Sequence, residues 1–346
     1  MRNLLDQIEA WLINDQSVAL ATVIKTWGSS PRPVGSGMAV TAEGQILGSV
    51  SGGCVEGAVI DAALEVLKSG NPKRLHFGVA DSEAWEVGLA CGGEIDVFVR
   101  NFDLPKLESW KTAFQTDKPF HSALLVNGSE NLVGEELLLL DDGSIVTPGF
   151  SSEQKEIINK SIQEGADKEK PATPGFIEND LGEVFYQLIQ KKPTLIVVGG
   201  VHIAVHLVKF ANILGFDVIV IDPRRLFGTG ERFPEVKQVI NEWPGKAFQK
   251  LQVDQSTAIV MLTHDPKIDD PALEIALASP AFYIGALGSR RTHQKRLDRL
   301  SASGIDNDRL SIVHAPVGLD LGGKLPEEIA LAVIAEIVKV RNSTKS

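Results

Sequence analysis

Cysteine is scarce in this chain: 346 residues contain two, Cys54 and Cys91, 37 positions apart. Two thiols exclude the disulfide framework that staples small secreted domains, and they fall short of the four thiolates of a [2Fe–2S] or [4Fe–4S] cluster. Aromatic residues are few, at 6%, while glycine is plentiful at 32. That balance favours α/β architecture with tight backbone turns over an aromatic-packed β-sandwich. Basic residues are outnumbered, 34 Lys+Arg against 45 Asp+Glu, for a net charge of −11. The resulting field repels nucleic acid and anionic lipid, so an anionic ligand has to be held by a local basic cluster. No apolar run approaches the roughly 18 residues of a membrane span. The opening MRNLLDQIEAWLIND places Asp6 and Glu9 where an export signal needs an apolar core, and reads as an amphipathic helix. The expectation is a cytoplasmic protein with no nucleic-acid partner and no membrane.

What is present points to more than one domain, since globular domains run to roughly 100–200 residues. VALATVIKT (18–26) and GMAVTAEGQILGSV (37–50) read as strands, the second a hairpin turned at Glu43-Gly44. Val55, Val59, Ala62, Ala63, Val66 and Leu67 recur at helical spacing up to Gly70, and EIDVFVR (94–100) alternates as a strand. Between 105 and 190 the pattern is weaker: a hairpin at 137–146 turned by Asp142-Gly143, a solvated helix at 151–165, a charged loop at 166–175 and a strand at 184–189. From Thr194 onward the alternation is clear. TLIVVGG (194–200) is an apolar strand ending in glycines, a helix follows to Leu214, and DVIVIDPR (217–224) is the next strand. Further strands are expected at 258–265, 282–289 and 311–316. The fold class is therefore α/β: an N-terminal α+β domain with hairpins (1–104), a connecting α/β segment that completes it (105–192), and a C-terminal Rossmann-like, doubly wound parallel sheet (193–346).

Four stretches carry candidate chemistry. Gly199-Gly200-Val201-His202 sits where a dinucleotide fingerprint would lie, with Asp222 positioned 23 residues after Gly199 to reach a ribose hydroxyl. Val201 opposes that reading, because a branched side chain stands where glycine lets the backbone approach a pyrophosphate. His202, on the first helical turn, is a donor to an anion or a cap. Gly285-Ala286-Leu287-Gly288-Ser289-Arg290-Arg291 follows an apolar strand and offers backbone amides and two guanidinium groups to a phosphate or carboxylate. Ser51-Gly52-Gly53-Cys54 turns from strand to helix, so Cys54 is either a thiol activated by a helix N-terminus or a small buried residue. A thiolate there suits a soft metal or a transferable sulfur. Cys91 lies in a second Cys-Gly-Gly turn. Finally, the loop from Trp27 to Gly37 concentrates turn formers around Arg32.

Together these stretches resemble the XdhC/CoxI family of xanthine dehydrogenase accessory proteins. The likeness lies in Thr26–Met38 (TWGSSPRPVGSGM), Gly48–Gly57 (GSVSGGCVEG), Cys91–Glu94, Val220–Arg224 with Glu231–Pro234, Tyr283–Arg291 (YIGALGSRR) and Pro316–Ala330. The resemblance spans about four fifths of the chain and is weakest between 105 and 180. It implies a chaperone that binds the molybdenum cofactor, protects it while a cysteine desulfurase installs its terminal sulfur, and inserts it into an apo-hydroxylase of the xanthine dehydrogenase type. The expected assembly is a homodimer without a catalytic residue of its own. Cys54 and Cys91 then contact the cofactor, Cys54 at its molybdenum end. Gly52, Gly53, Arg32, Gly199, Gly200, His202, Asp222, Arg224, Gly285, Gly288, Ser289, Arg290 and Arg291 complete the candidate binding set. The alternative is an NAD(P)-dependent oxidoreductase working through the 194–222 unit. Xanthine dehydrogenase itself is disfavoured by the cysteine count.

Overall fold

The computed structural model describes residues 1–30, 32–78, 93–165 and 173–343. Two units follow one another along the chain, Met1–Lys191 and Lys192–Ser346.

The first unit opens with helix α1 (Leu5–Ile13) and strands β1 (Val18–Trp27), β2 (Gly37–Thr41) and β3 (Ile46–Gly48). Helix α2 (Glu56–Ser69), β4 (Lys73–Phe77) and β5 (Glu94–Phe102) complete an antiparallel sheet ordered β3-β2-β1-β5-β4. Period-2 alternation sends Ala19, Ala21, Val23, Ile95, Val97 and Val99 to one face, where Val59, Ala62, Ala63 and Val66 of α2 cover them. Gly70 ends α2 in the left-handed region, at φ +78°.

A second antiparallel sheet, ordered β8-β7-β6-β10-β9, fills the weakly patterned stretch. It comprises β6 (Phe120–Gly128), β7 (Glu136–Leu139), β8 (Ile145–Val146), β9 (Gly175–Asn179) and β10 (Gly182–Ile189), with α3 (Leu104–Gln115) before it and α4 (Ser152–Gly165) between β8 and β9. Leu124, Val126 and Phe185 pack on Ile24 and Phe98 of the first sheet, while Ala123, Leu125 and Val184 face Ile158 and Ile162 of α4. Being covered on both sides, β6 is a continuous buried run from Ser122 to Val126 and shows no alternation to read.

The second unit holds β11 (Thr194–Val198), α5 (His202–Ile213), β12 (Asp217–Ile221), β13 (Gln238–Ile240), α6 (Pro244–Ala247), β14 (Thr257–Met261), α7 (Pro266–Leu277), β15 (Tyr283–Ala286), α8 (Arg290–Ala302), α9 (Asn307–Leu310), β16 (Val313–His314) and α10 (Pro326–Ser343). All strand pairs are parallel, in the order β13-β12-β11-β14-β15-β16. This is the doubly wound order of a Rossmann-like sheet, and the expected fold class holds. Leu195, Val197, Val218, Val220 and Val260 face α5 and α10; Ile196, Val198, Ile219, Ile259 and Met261 face α7. Burial on both faces is why these strands read as unbroken apolar runs.

Candidate functional site

In the first sheet the antiparallel registers bring several chain reversals to one end. Trp27 at the end of β1 pairs with Glu94 at the start of β5, Thr22 pairs with Gly37 at the start of β2, and Met38 pairs with Gly48 at the end of β3. Phe77, the last residue of β4, pairs with Ile95. Loops 28–36 and 49–55, and the two ends of the 78–93 connection, therefore leave the sheet from the same edge. Gly93 packs there so closely that a Cβ would lie 2.5 Å from the Ser29 carbonyl oxygen.

Cys54 is exposed on this edge, which removes the reading of it as a small buried residue. The loop that presents it is wound around one carboxylate. Glu56, the first residue of α2, accepts hydrogen bonds from the backbone N–H of Val50 (3.3 Å), Ser51 (2.9 Å), Gly52 (3.0 Å) and Gly53 (2.8 Å), and from the hydroxyls of Ser49 (2.7 Å) and Ser51. Ser51 Oγ in turn accepts from Val55 N–H. Burial opposes the charged carboxylate, yet these donors together hold it well below its ordinary range, at about 2. Gly52 and Gly53 sit at φ +79° and +123°, where a side chain is strained; no neighbour crowds Gly53, so its requirement is conformational. These amides, the natural nest for a ligand anion, are already spent on Glu56.

Arg32 is exposed and lines a cleft of about 620 Å³ with Leu4, Gly37, Leu47 and Gln187; Cys54 is not among its walls. Cys91 lies outside the described residues. Among the described residues no group of three or more His, Cys, Asp or Glu side chains is placed to hold a metal ion.

In the second unit Asp222 does not stand free for a ribose. It is 0% exposed. One carboxylate oxygen accepts from Arg224 N–H and Nε, both at 2.9 Å; the other accepts from Gly200 N–H at 2.8 Å and Arg224 Nη2 at 2.7 Å. Two donors per oxygen leave no good acceptor position. Arg224 is held as well, its guanidinium lying 4.2 Å over the Phe227 ring. A Cβ on Gly200 would fall 2.3 Å from the Phe227 carbonyl oxygen, and one on Gly199 2.5 Å from Thr263 Cγ2, so both glycines serve close backbone packing. His202 is exposed at the start of α5, edge-on to His206.

The YIGALGSRR stretch divides similarly. Gly285 is inside β15, where a Cβ would meet Val317 at 2.6 Å and the Tyr283 ring at 2.8 Å, so close packing requires glycine there. Gly288, at φ +145°, makes the turn into α8, and Ser289 caps that helix by accepting from Thr292 N–H. Arg290 and Arg291 are both exposed, but only Arg291 lines the concavity of about 310 Å³ beyond the carboxyl ends of β14 and β15.

Comparison with known proteins matches residues 11–78 to the XdhC and CoxI family and residues 195–337 to the XdhC Rossmann domain. The chain belongs to the XdhC and CoxI family. It is 27% identical over 99% of its length to a Bacillus subtilis protein named as a probable subunit of xanthine dehydrogenase, covering 98% of that protein. It is 26% identical to the molybdenum cofactor insertion chaperone PaoD of Escherichia coli, over 95% of this chain and 85% of the relative. A crystal structure described as a xanthine dehydrogenase from Bacillus halodurans superposes with a TM-score of 0.79 at 26% identity, covering 98% of this chain and 96% of that one.

Within this XdhC/CoxI chain, two residues central to the geometry escape a search for nucleophiles and glycines. Glu56 is visible in the sequence only as an acid at the first residue of a helix. Arg296 reads as one more member of a basic run, yet it is 2% exposed.

Proposed function

We propose that this chain binds the molybdenum cofactor as cargo, protects it while a cysteine desulfurase installs its terminal sulfur, and inserts it into a xanthine dehydrogenase-type hydroxylase. Family membership supports a maturation role, as do relatives whose names carry xanthine dehydrogenase and molybdenum cofactor insertion. In this reading the chain turns over no substrate of its own. Two thiols cannot ligate the iron–sulfur centres of the hydroxylase, which favours the accessory role over the enzyme itself.

The observation that carries the proposal is Cys54, an exposed thiol on a loop fixed by the Glu56 carboxylate. A sulfur held in one orientation is a soft donor for the metal end of the cargo, or an acceptor for sulfur on its way to it. The test is retention: protein incubated with molybdenum cofactor and desalted should keep metal, and Cys54→Ser should lose most of it. Equal retention by the variant removes the role of Cys54, and no retention by the wild type overturns the chaperone reading.

A further inference from the structure

Helix α8 carries Arg291 and Lys295 four residues apart, hence on one face, with Arg296 turned inward beside them. All three line the concavity of about 310 Å³ at the carboxyl ends of β14 and β15, together with His264 and Thr292. The other cation there, Arg299, is spent on Asp270, at 2.6 Å from Nε and 3.0 Å from Nη2. The side chains of Arg291 and Lys295 make no hydrogen bond or ion pair among the described residues.

Arg296 is the unusual member. It is 2% exposed, and only its Nη2 is engaged, donating to the Leu287 carbonyl at 3.1 Å and lying 3.5 Å from Asp269 Oδ2. Its buried Nε and Nη1 have no acceptor. Native structures rarely leave such donors unmet, and on a charged group the omission is costly. Asp269 does not relieve it: its other oxygen takes the Thr263 hydroxyl at 2.6 Å, and Oδ2 makes no hydrogen bond. Burial pushes the Arg296 pKa down and the Asp269 carboxyl up, as befits an incompletely neutralised pair.

We propose that Arg291, Lys295 and Arg296 form an oxyanion site that takes a phosphoryl group of a ligand, with the buried Arg296 guanidinium supplying positive charge at its base. Three cations set against Asp269 leave a surplus suited to a dianion, which favours phosphate over a lone carboxylate. The site deepens the cofactor reading, on which its natural ligand rests, since that cargo ends in a phosphate. Oxyanion binding itself stands on the geometry alone.

The experiment is calorimetric titration of the full, metal-free chain at low ionic strength with inorganic phosphate and pyrophosphate, and with acetate as the monoanion arm. Saturable binding of a phosphoryl anion, tighter than acetate, is expected, and Lys295→Glu should weaken it by at least about tenfold because a nearby cation becomes an anion. Lys295 is exposed, so this variant folds even where Arg296→Ala does not. Lys209→Glu, the same charge change on the exposed side of α5, should bind as wild type. Absence of saturable phosphate and pyrophosphate binding, acetate binding as tight as phosphate, or unchanged binding by Lys295→Glu overturns the site. So does an equal loss in Lys209→Glu. None of these results bears on metal retention through Cys54, so the two proposals fail separately.

Discussion

The backbone N–H of Gly200 donates to the Asp222 carboxylate at 2.8 Å, joining the glycine turn after β11 to the tip of β12. In a dinucleotide-binding crossover that acid is free to hold a ribose; here Gly200 and Arg224 consume both its oxygens. NAD(H) is therefore expected to bind weakly or not at all, as followed by nicotinamide fluorescence. Tight binding that vanishes in Asp222→Asn would reinstate the oxidoreductase reading. Asp222→Ala should also destabilise the second unit by about 3 kcal/mol, because it strands a partly buried guanidinium and a buried amide. Chemical denaturation reads this directly.

Glu56 makes a pH-dependent prediction. Its carboxyl is held at about 2 in the folded chain, below its ordinary value. A depressed carboxylate contributes stability that is complete above the unfolded-state pKa and lost as pH falls toward the folded one. Glu56→Ala should cost roughly 1–2 kcal/mol at neutral pH, in line with the loss of a capping carboxylate. The gap between variant and wild type should narrow between about pH 5 and pH 2. A gap independent of pH across that window is the adverse outcome.

Two glycine substitutions separate conformation from packing. Gly53→Ala meets no neighbour but forces a side chain into positive φ, and should cost about 1–2 kcal/mol. Gly285→Ala places a methyl against Val317 and Tyr283 and should cost about 1–3 kcal/mol through overpacking. While folded, Gly285→Ala should bind phosphate as wild type. Thermal melts and the phosphate titration measure both effects.

Cys54 should react with a thiol reagent in the native protein at the rate of an accessible cysteine, and Cys54→Ser should remove that fast phase. Glu56→Ala should alter the rate by releasing the loop. An unreactive Cys54 would contradict its exposure.

Much of this was legible in the sequence, for identifiable reasons. Strands β11 and β14 are apolar after their opening threonines because helices cover both faces of their sheet, and the hairpins at Gly44 and Gly143 announce themselves through glycines that adopt positive φ. Strand β6 hid because two layers bury it, so its pattern resembles neither period. The 18-residue helix α10 shows in the sequence only as a motif at its start, because the stripe of Ala330, Val333, Ile334 and Ile337 is confined to part of its length. At the candidate site, sequence reasoning found the exposed thiol and the basic helix. Spacing cannot reveal that the Asp222 oxygens are already filled or that a Cβ on Gly285 has no room. The occupant of a nest and the partner of a buried cation are three-dimensional facts.

The hydrogen bonds around Glu56 begin and end within Ser49–Glu56. The polar network of this segment is closed within eight consecutive residues, while Val50 and Val55 root it in the apolar core shared by the sheet and α2. It can tolerate drift in the surrounding loops without reorienting its sulfur. Grafted onto another strand-to-helix junction, it should carry that orientation with it.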